Sequence, residues 1–333
     1  MQEKLPYVSI LVLNYNGRRW LFSCLSSLLK TEYPQYEIIL VDNASTDGSV
    51  EFVKKNFPRV KIIKFSQNLG YALAYNIAYK YAKGDILVFL NNDTMVSSNW
   101  LKEIIKFLSK VRTPIIVGPK ICKMYNKRKL DSAGGVVNIL GFTWSRGYLD
   151  DADDPKYNKI YEPFYVSGAA LIIPKQLFEE LGCFDASYFM YCEELDLCWR
   201  ARLRGYKIIY FPRSIIYHYG SPSLKKYSVR YYYLNTRNMI VTMIKCLERK
   251  NLIPMLTAYL FLSFLLGFIL TIKKRKNFVK AYIEAISWII QNISNILFKR
   301  KSIQAQRVIP DNRIFVFFSK SFGFRKFRRI LKS

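Results

Sequence analysis

The sequence predicts a doubly wound α/β fold, in which a mostly parallel sheet carries helices on both faces. Two observations support this prediction. The first third of the chain alternates apolar, β-branched runs with segments of helical spacing. Each apolar run is continuous rather than alternating, which is typical of parallel strands buried on both faces. Since ligands of such sheets bind beyond the carboxyl ends of the strands, polar residues at those ends are candidates for a site.

The predicted elements follow one another as strand, helix, strand. Tyr7–Tyr15 is the first strand, and Arg19–Lys30 has helical spacing. The next strand, helix, strand, helix and strand are predicted at Tyr36–Ala44, Gly48–Phe57, Val60–Ser66, Tyr71–Lys83 and Asp85–Leu90. Beyond them we predict strands at Phe164–Pro174 and Lys207–Pro212. The Asp-rich segment Leu149–Lys156 is predicted to be an exposed loop.

The chain is strongly basic, with a formal net charge of +28 over 333 residues. Such an excess predicts an anionic partner, which could be nucleic acid, a membrane surface or a phosphorylated substrate. The six cysteines form no C-x-x-C pair, so we expect neither zinc nor a disulfide framework but reduced thiols in an intracellular protein. The first residues show no signal-peptide pattern.

The last part of the chain changes character. Leu252–Ile272 contains 21 residues without a charge, which is long enough to span a bilayer as a helix. Lys273–Ser333 follows with sixteen Lys or Arg residues against two acidic ones. Basic flanks prefer the cytoplasm, yet both flanks of the apolar run are basic. Three alternatives therefore stay open: a span, a helix in the cytoplasmic leaflet with the tail on anionic lipid, or a buried core helix.

Aromatic residues interleave with basic ones in this tail, a pattern that would also suit single-stranded nucleic acid. The adjacent apolar run favours lipid as the partner, and no nucleic acid is expected.

Polar motifs follow the predicted strands. Asp42, at the end of the second strand, can accept hydrogen bonds from a nucleobase or a ribose hydroxyl. Asp47 either joins it or caps the following helix. Asp93, after the fourth strand, suits a hard cation such as Mg²⁺ or Mn²⁺ that is shared with substrate phosphates. His218 is the only histidine; it is a structural residue at a strand end or, if Asp93 lies close, a metal ligand.

The run Tyr188–Ile208 concentrates carboxylates in this basic chain, just ahead of a helix. The helix is predicted to be amphipathic from apolar residues at every fourth position, Leu195, Trp199 and Leu203. Glu193 and Glu194 fall in its first turn, where the helix dipole favours them. Asp196 precedes Arg200 by four residues, which predicts an ion pair. Adjacent glutamates point in different directions, so one can anchor while the other faces a cleft as a general base.

In this order the motifs resemble glycosyltransferase family 2, which has the GT-A fold, and within it the rhamnosyltransferase-like branch. The matching segments are VSILVLNYNG, VDNASTDGS, NLGYALAYN, LVFLNND, VSGAALIIP, FMYCEELDLCWRARLRGYKI and IIYHYGSPS. They cover roughly Tyr7–Asn238, and no G-x-G-x-x-G follows the first strand, which disfavours dinucleotide binding. The resemblance implies a GT-A glycosyltransferase domain over residues 1–240 and a membrane-associated helical region with a basic tail over residues 241–333.

The resemblance also implies a role for each motif. Asp42 would hold the base of a nucleotide sugar, and Asp93 with His218 would bind Mn²⁺ or Mg²⁺ on the diphosphate. Glu194 would be the general base, with Glu193 beside it as a second catalytic carboxylate. The other expected contacts of the donor nucleotide are Asn14, Asn43, Asp47, Asn68, Gly70, Asn76, Asn91 and Asn92. Those expected near the donor sugar or the acceptor are Ser167, Gly168, Trp199 and Arg200.

The sequence departs from the family pattern at two positions. Asn91 replaces the first Asp of the D-x-D element, and Glu194 stands where the base is usually Asp. The implied function is inverting transfer of a sugar from a UDP-, GDP- or dTDP-sugar to a hydroxyl of a glycan or lipid-linked acceptor. We expect this reaction at the cytoplasmic face of the cell membrane, in polysaccharide biosynthesis. The alternative is a non-catalytic, membrane-bound scaffold that binds a sugar nucleotide or a glycan.

Overall fold

A computed structural model describes residues 5–220, 228–274 and 276–321. The chain divides into two compact units. Unit 1 comprises Met1–Gly135, Ser145–Phe189 and Tyr206–Ser221, and unit 2 comprises Val136–Trp144, Met190–Gly205 and Pro222–Ser333. Unit 2 thus includes residues that the sequence analysis assigned to its first domain. The SPS residues of the last predicted motif and the end of the basic tail, residues 322–333, lie outside the described residues.

Unit 1 is an α/β unit. Its first seven strands are β1 (Val8–Asn14), β2 (Tyr36–Asp42), β3 (Lys61–Lys64), β4 (Ile86–Asn91), β5 (Thr94–Val96), β6 (Ile115–Lys123) and β7 (Asn126–Ser132). Two short strands, β8 (Gly135–Val137) and β9 (Thr143–Ser145), lie where the chain leaves unit 1 and returns to it. The last strands of unit 1 are β10 (Ala170–Pro174) and β11 (Lys207–His218). Its helices are α1 (Arg18–Leu28), α2 (Ser49–Asn56), α3 (Gly70–Ala78), α4 (Trp100–Leu108) and α5 (Lys175–Glu180).

The sheet of unit 1 is mixed: four of its strand pairs are parallel and four are antiparallel, so the predicted parallel pairing is confirmed only in part. The strand order is β3-β2-β1-β4-β10-β6-β11-β5, with β7 paired to β6. The pairs β2–β3, β1–β2, β1–β4 and β6–β11 are parallel. β10 is antiparallel to β4 and β6, as are β5 to β11 and β7 to β6. The first four strands are joined in succession by α1, α2 and α3, the helical crossovers that parallel pairing requires.

Two other local predictions need correction. The run Phe164–Pro174 is a strand only from Ala170, because Ala170 N–H donates to the Ser167 carbonyl at 3.2 Å and closes a turn. The Asp-rich segment Leu149–Lys156 is a loop, but it is not exposed throughout. Ala152 is buried, and its carbonyl accepts a hydrogen bond from Lys120 Nζ at 2.6 Å.

Helices cover both faces of this sheet, as predicted. On one face Val12 and Val88 belong to a buried cluster with Leu25 of α1 and Ile104 of α4. On the other face Phe89 contacts an aromatic group from α3, α5 and the segment that follows, namely Tyr75, Phe178 and Phe184. Successive residues of β4 therefore supply opposite cores, which explains why its sequence is continuously apolar.

Unit 2 is helical. Its helices are α6 (Glu193–Leu203), α7 (Val229–Cys246), α8 (Arg249–Lys274), α9 (Phe278–Gln291), α10 (Ile293–Ala305) and α11 (Asp311–Ile314). α6 is buried on every side rather than amphipathic, because ten of its eleven residues are buried. Of the described residues, one helix is long and apolar enough to cross a membrane, the segment Arg249–Lys273 of α8.

Candidate active site

Polar side chains meet at one edge of the unit 1 sheet, where β1 and β2 end side by side. Asn14 Nδ2 donates to Asp42 Oδ1 at 2.9 Å, and Asn92 Nδ2 donates to Asn14 Oδ1 at 2.6 Å. The second carboxylate oxygen of Asp42 accepts the Ser45 N–H at 3.1 Å. Asp42 is fully buried, so in this structure its carboxylate organises the edge of the sheet. Its contact with a nucleobase stays a prediction.

A second group of the predicted donor residues shapes the loop before α3. Asn43 Nδ2 donates to Asn68 Oδ1 at 2.9 Å and to the Gly70 carbonyl at 3.0 Å. Gly70 has φ +76°, and a Cβ there would collide with the Phe189 carbonyl oxygen. The neighbouring Tyr71 N–H donates to that oxygen at 2.7 Å. Only glycine allows this approach of two backbone segments, so Gly70 fixes the loop.

Asp47 and Asn76 hold backbone. Asp47 Oδ1 accepts the Ser49 N–H at 3.1 Å, and Oδ2 accepts the Arg18 N–H at 2.9 Å. Asp47 therefore serves the first turns of α1 and α2, which is the capping alternative of the sequence analysis. Asn76 Nδ2 donates to the Phe184 carbonyl at 2.7 Å and Oδ1 accepts the Phe184 N–H at 3.0 Å. A nucleotide contact of either side chain stays a prediction.

The turn around Ser167 and Gly168 lies beside the end of β4. Asn91 N–H donates to the Ala169 carbonyl at 3.1 Å. The Gly168 carbonyl accepts the Tyr71 hydroxyl at 2.8 Å, and Ser167 Oγ accepts the Ala169 N–H at 3.3 Å. These small residues bring backbone close to the Asn91–Asp93 turn, and their place near the donor sugar stays a prediction.

The structure brings the two predicted metal ligands together. Asp93 follows β4, and His218 ends β11, where it pairs with the first residue of β5. His218 Nε2 lies 3.2 Å from Asp93 Oδ1. Tyr219 N–H donates to the Asp93 carbonyl at 2.9 Å, which fixes the two segments to each other.

Asp131 and Lys123 extend this pair, and the sequence analysis missed both. Asp131 Oδ2 lies 2.6 Å from His218 Nδ1, and its other oxygen pairs with Lys123 Nζ. The available signal was that Asp131 is the lone acid at the end of the basic strand NKRKLDS. Burial alone would lower the pKa of His218, but the carboxylates of Asp93 and Asp131 raise it to about 10. For Asp131 burial alone would raise the pKa, but His218 and Lys123 lower it to about 2.

This donor set fits a divalent cation that is shared with a substrate. Asp93 offers a carboxylate oxygen, and His218 offers Nε2, an adjacent donor once it has lost its proton. Asp131 receives the other ring N–H, the arrangement that orients metal-binding histidines. In the described part of the chain no group of three His, Cys, Asp or Glu side chains is placed to hold one ion. The remaining ligands would therefore come from phosphate and water, as Mg²⁺ and Mn²⁺ accept.

In unit 2 the two glutamates differ in environment. Glu193 is buried, and its Oε2 has no hydrogen-bond partner among the described residues. Burial first, and the charge of Glu194 second, raise the pKa of Glu193 well above its ordinary value. Glu194 is half-buried and is thus the more accessible of the two. The division between an anchoring and a cleft-facing carboxylate stays a prediction.

A strained turn precedes these glutamates. Tyr191 and Cys192 both have left-handed backbone, with φ +73° and +66°, which is uncommon for residues other than glycine. Asn238 of α7 secures the turn, because its Nδ2 donates to the carbonyls of Met190 at 2.9 Å and Tyr191 at 2.7 Å. Such strain is typical of functional sites. Asn238 therefore positions the start of α6, and no sequence pattern singled it out.

Trp199 and Arg200 have structural contacts. Trp199 is fully buried, with its ring 5.6 Å from that of Phe318. Arg200 Nε donates to Asp196 Oδ2 at 2.8 Å, which is the predicted ion pair. Lys245 Nζ lies 2.6 Å from the other oxygen of Asp196, deep in unit 2. The prediction that Trp199 and Arg200 contact a sugar gains no support from these contacts.

Comparison with known proteins places the chain in a family. The model of Glycosyl transferase family 2 matches residues 9–181, which is more than half of the chain. The chain therefore belongs to glycosyl transferase family 2, as the order of its motifs predicted.

Several curated relatives align with about two thirds of the chain. The N-acetylglucosaminyl-diphospho-decaprenol L-rhamnosyltransferase of Mycobacterium tuberculosis is 26% identical over 247 residues, which are 67% of this chain and 78% of that protein. The O-antigen biosynthesis protein RfbC of Myxococcus xanthus is 27% identical over 243 residues, 66% of this chain. The chain covers only 18% of RfbC and 25% of another relative, the uncharacterized protein y4gI of Sinorhizobium fredii, which is 25% identical over 66% of this chain.

Solved structures share the fold. The mannosyltransferase PcManGT of Pyrobaculum calidifontis, in complex with GDP-Man and Mn²⁺, matches with a TM-score of 0.54 at 15% identity, covering 99% of this chain and 87% of that one. TarS 1–349 of S. aureus in complex with UDP-GlcNAc matches with a TM-score of 0.56 at 19% identity, covering 98% and 91%. The fold is thus GT-A-like, with a mixed sheet.

Proposed function

We propose that the chain transfers a sugar from a nucleotide-diphosphate donor to a hydroxyl of a glycan or lipid-linked acceptor, with inversion at the anomeric carbon. The observation that carries the proposal is the Asp93–His218 pair at the end of β4, backed by Asp131. Asp93 and His218 are two adjacent metal donors, and Asp131 fixes the orientation of the histidine ring. In a member of this family, such a pair supports transfer from a diphosphate donor.

The residues of unit 1 would hold the donor. Asp93 and His218 would bind Mn²⁺ or Mg²⁺, which when bound supplies positive charge to the diphosphate as it leaves. Asp131 keeps the Nδ1 proton of His218 and so leaves Nε2 to face the ion. The small residues of the turn at Ser167 and Gly168 would let a sugar approach the backbone there.

Glu194 of unit 2 would be the general base. It would accept the proton of the acceptor hydroxyl as that oxygen attacks the anomeric carbon, and the nucleoside diphosphate would leave from the opposite face. The buried Glu193, whose pKa is raised, would stay protonated beside it. In enzymes, two neighbouring carboxyl groups often have different pKa values, so that one stays protonated while the other acts as a base.

The comparisons support the proposed donor class and the proposed place of the reaction. The proposed donor is a UDP-, GDP- or dTDP-sugar, and the first two are supported by PcManGT, solved with GDP-Man, and TarS, solved with UDP-GlcNAc. The name of the mycobacterial relative describes a diphospho-decaprenol substrate, which supports a lipid-linked acceptor here. The apolar helix α8 supports action at the membrane, and we place it at the cytoplasmic face.

A donor screen with purified protein tests the proposal through release of nucleoside diphosphate. With the accepted donor, Glu194→Gln should keep donor affinity and lose transfer by about 100-fold or more, as expected for a lost general base. Glu193→Gln is the matched control and should affect transfer less. Chelation should suppress activity, and Mn²⁺ or Mg²⁺ should restore it.

Each alternative has a distinct outcome. Equal and small effects at both glutamates would remove Glu194 from its role. Full activity in excess chelator would contradict the proposed role of a divalent metal. Donor binding without any turnover would favour the non-catalytic scaffold.

A further inference from the structure

Large apolar side chains form an exposed stripe along α8. From Phe261 to Ile272 they lie on one face at spacings of three and four residues, and Ile253 lies about two turns earlier. Their exposed fractions are 72% for Ile253, 64% for Phe261, 42% for Phe264, 41% for Leu265, 49% for Phe268 and 64% for Ile272. A helix on the surface of a soluble protein presents polar residues to water instead. A stripe of this size marks a contact surface.

The opposite side of α8 is covered by other parts of unit 2, beginning at its first residues. The Glu248 N–H and Asn251 Nδ2 both donate to Asp311 Oδ2, at 2.8 and 2.9 Å. Asp311 in turn pairs with Arg307 at 2.9 Å. The N-terminal end of α8 is therefore fixed to a charged pair, which belongs at an aqueous boundary rather than in hydrocarbon.

From Leu260, near its middle, α8 is fixed to α9 along its C-terminal half. Tyr282 donates its hydroxyl proton to the Leu260 carbonyl at 3.2 Å, and its ring lies 5.5 Å from that of Phe264. Thr271 Oγ1 accepts the Phe278 N–H at 3.1 Å. α9 thus turns back along α8 from the end of that helix.

α7 covers the same half of α8. The Tyr232 hydroxyl of α7 donates to the Ser263 carbonyl, and a Cβ at Gly267 would lie 2.7 Å from that hydroxyl oxygen. Gly267 therefore lets the two helices approach closely.

These contacts disfavour a transmembrane orientation for α8. If α8 crossed the bilayer, α9 would have to cross back beside it. α9 has 14 residues, about 21 Å at the rise of an α-helix, against about 30 Å of hydrocarbon. It also carries exposed Lys280 and Glu284, which would be placed in the hydrocarbon at high free-energy cost.

We propose that α8 lies in the plane of one leaflet of an anionic membrane and inserts its stripe at the boundary between headgroups and acyl chains. Exposed Arg249 and Lys250 at one end and Lys273 at the other complement lipid phosphates. Both basic flanks then stay on one side of the membrane, which removes the conflict that a span creates. The proposal rests on the membrane association proposed above and specifies its form.

Flotation with sealed phosphatidylcholine vesicles that contain phosphatidylglycerol tests the surface. The full-length protein should float with them, and Phe261→Glu combined with Phe268→Glu should reduce the bound fraction at least tenfold. Ile160→Glu is the matched control, because this side chain in unit 1 is 54% exposed and should leave flotation unchanged. Unchanged flotation of the double variant would overturn the stripe as the lipid contact.

Thiol labelling tests the orientation. Lys250→Cys and Lys273→Cys are added separately, as full-length proteins, to the outside of the vesicles and treated with a membrane-impermeant maleimide. Adducts are counted by mass against the parent, which has six cysteines of its own. An in-plane helix predicts equal labelling at both positions. Protection at position 273 until detergent is added would overturn the in-plane orientation alone, whereas failure of the parent to float would overturn the membrane association itself.

Discussion

Replacing Asn238 tests whether the strained turn before α6 controls catalysis. Its amide donates both hydrogen bonds that secure Met190 and Tyr191, at 2.9 and 2.7 Å. Two such bonds contribute about 2 kcal/mol in total. The left-handed backbone at Tyr191 and Cys192 costs about 1–2 kcal/mol per residue. Because the strain is at least as large as the contribution of the two bonds, the turn should relax in Asn238→Ala.

The expected result is a large loss of transfer with a small loss of stability. Relaxation of the turn moves the start of α6, and a displacement of about 1 Å can lower a rate about 100-fold. The free energy of unfolding should fall by less than about 2 kcal/mol, since the released strain offsets part of the lost hydrogen bonding. Donor affinity should not change, because the predicted donor residues of the sheet edge belong to unit 1.

Steady-state transfer, donor titration and thermal unfolding measure these effects. Asn238→Asp keeps the shape but removes the donor, so it should lose transfer as severely as Asn238→Ala. Ser228→Ala is the matched control, because Ser228 caps the same helix through the Tyr231 N–H at 3.1 Å. Ser228→Ala should lower the free energy of unfolding by about 1 kcal/mol and should retain transfer. A loss of transfer below about threefold in Asn238→Ala would refute the reasoning.

Four further predictions concern titration and backbone fit. Because His218 is the only histidine, its ring gives a single signal in NMR. Asp131→Asn should lower the pKa of metal-free His218 from about 10. An unchanged pKa would contradict the contact between Asp131 and His218. Because that pKa is raised, the stabilising contribution of His218 should be complete below pH 6.5 and lost as the pH rises through about 10, measured by urea unfolding. Glu193→Gln should become more stable than wild type as the pH rises above 4.5, because only the wild type must keep a buried carboxyl protonated. The same difference in melting temperature between variant and wild type at pH 4 and pH 7 would refute this prediction. Gly70→Ala should lower the free energy of unfolding by about 2–5 kcal/mol from the left-handed φ and the collision with Phe189, and a loss below 1 kcal/mol would show that the loop can move.

The strand ends of unit 1 could be predicted from sequence, whereas the direction of pairing could not. Residues 10–13 and 86–90 are continuously apolar, and each strand ends at the asparagine that follows its apolar run. Nothing in ALIIP distinguishes a parallel from an antiparallel neighbour, because β10 is equally buried in either case. Its direction depends on tertiary connections that periodicity does not record.

The candidate site was predictable where a residue type is rare. Asp93 stood out as the one charged residue of Asn91–Asp93 and His218 as the only histidine, and the structure places them 3.2 Å apart. Asp131 and Asn238 were missed, because one acid in a basic strand and one amide in a polar helix segment have many equivalents in the sequence. Their importance comes from atoms contributed by distant segments.

For α8, length and composition left three orientations open, and only its contacts favour one of them. The same contacts connect the proposed lipid surface to the proposed base through α7. Tyr232 near the start of α7 packs on α8, and Asn238, less than two turns further, holds the turn that begins α6 at Glu193. If α8 lies flat in the leaflet, unit 2 carries Glu194 at a fixed height above the lipid. A lipid-linked acceptor would then present its hydroxyl at a height set by its own headgroup. Because α7 connects α8 to the start of α6, it would favour acceptors whose headgroup length brings this hydroxyl to Glu194. Acceptors with longer headgroups should therefore be poorer substrates for the membrane-bound enzyme than for the detergent-solubilised enzyme.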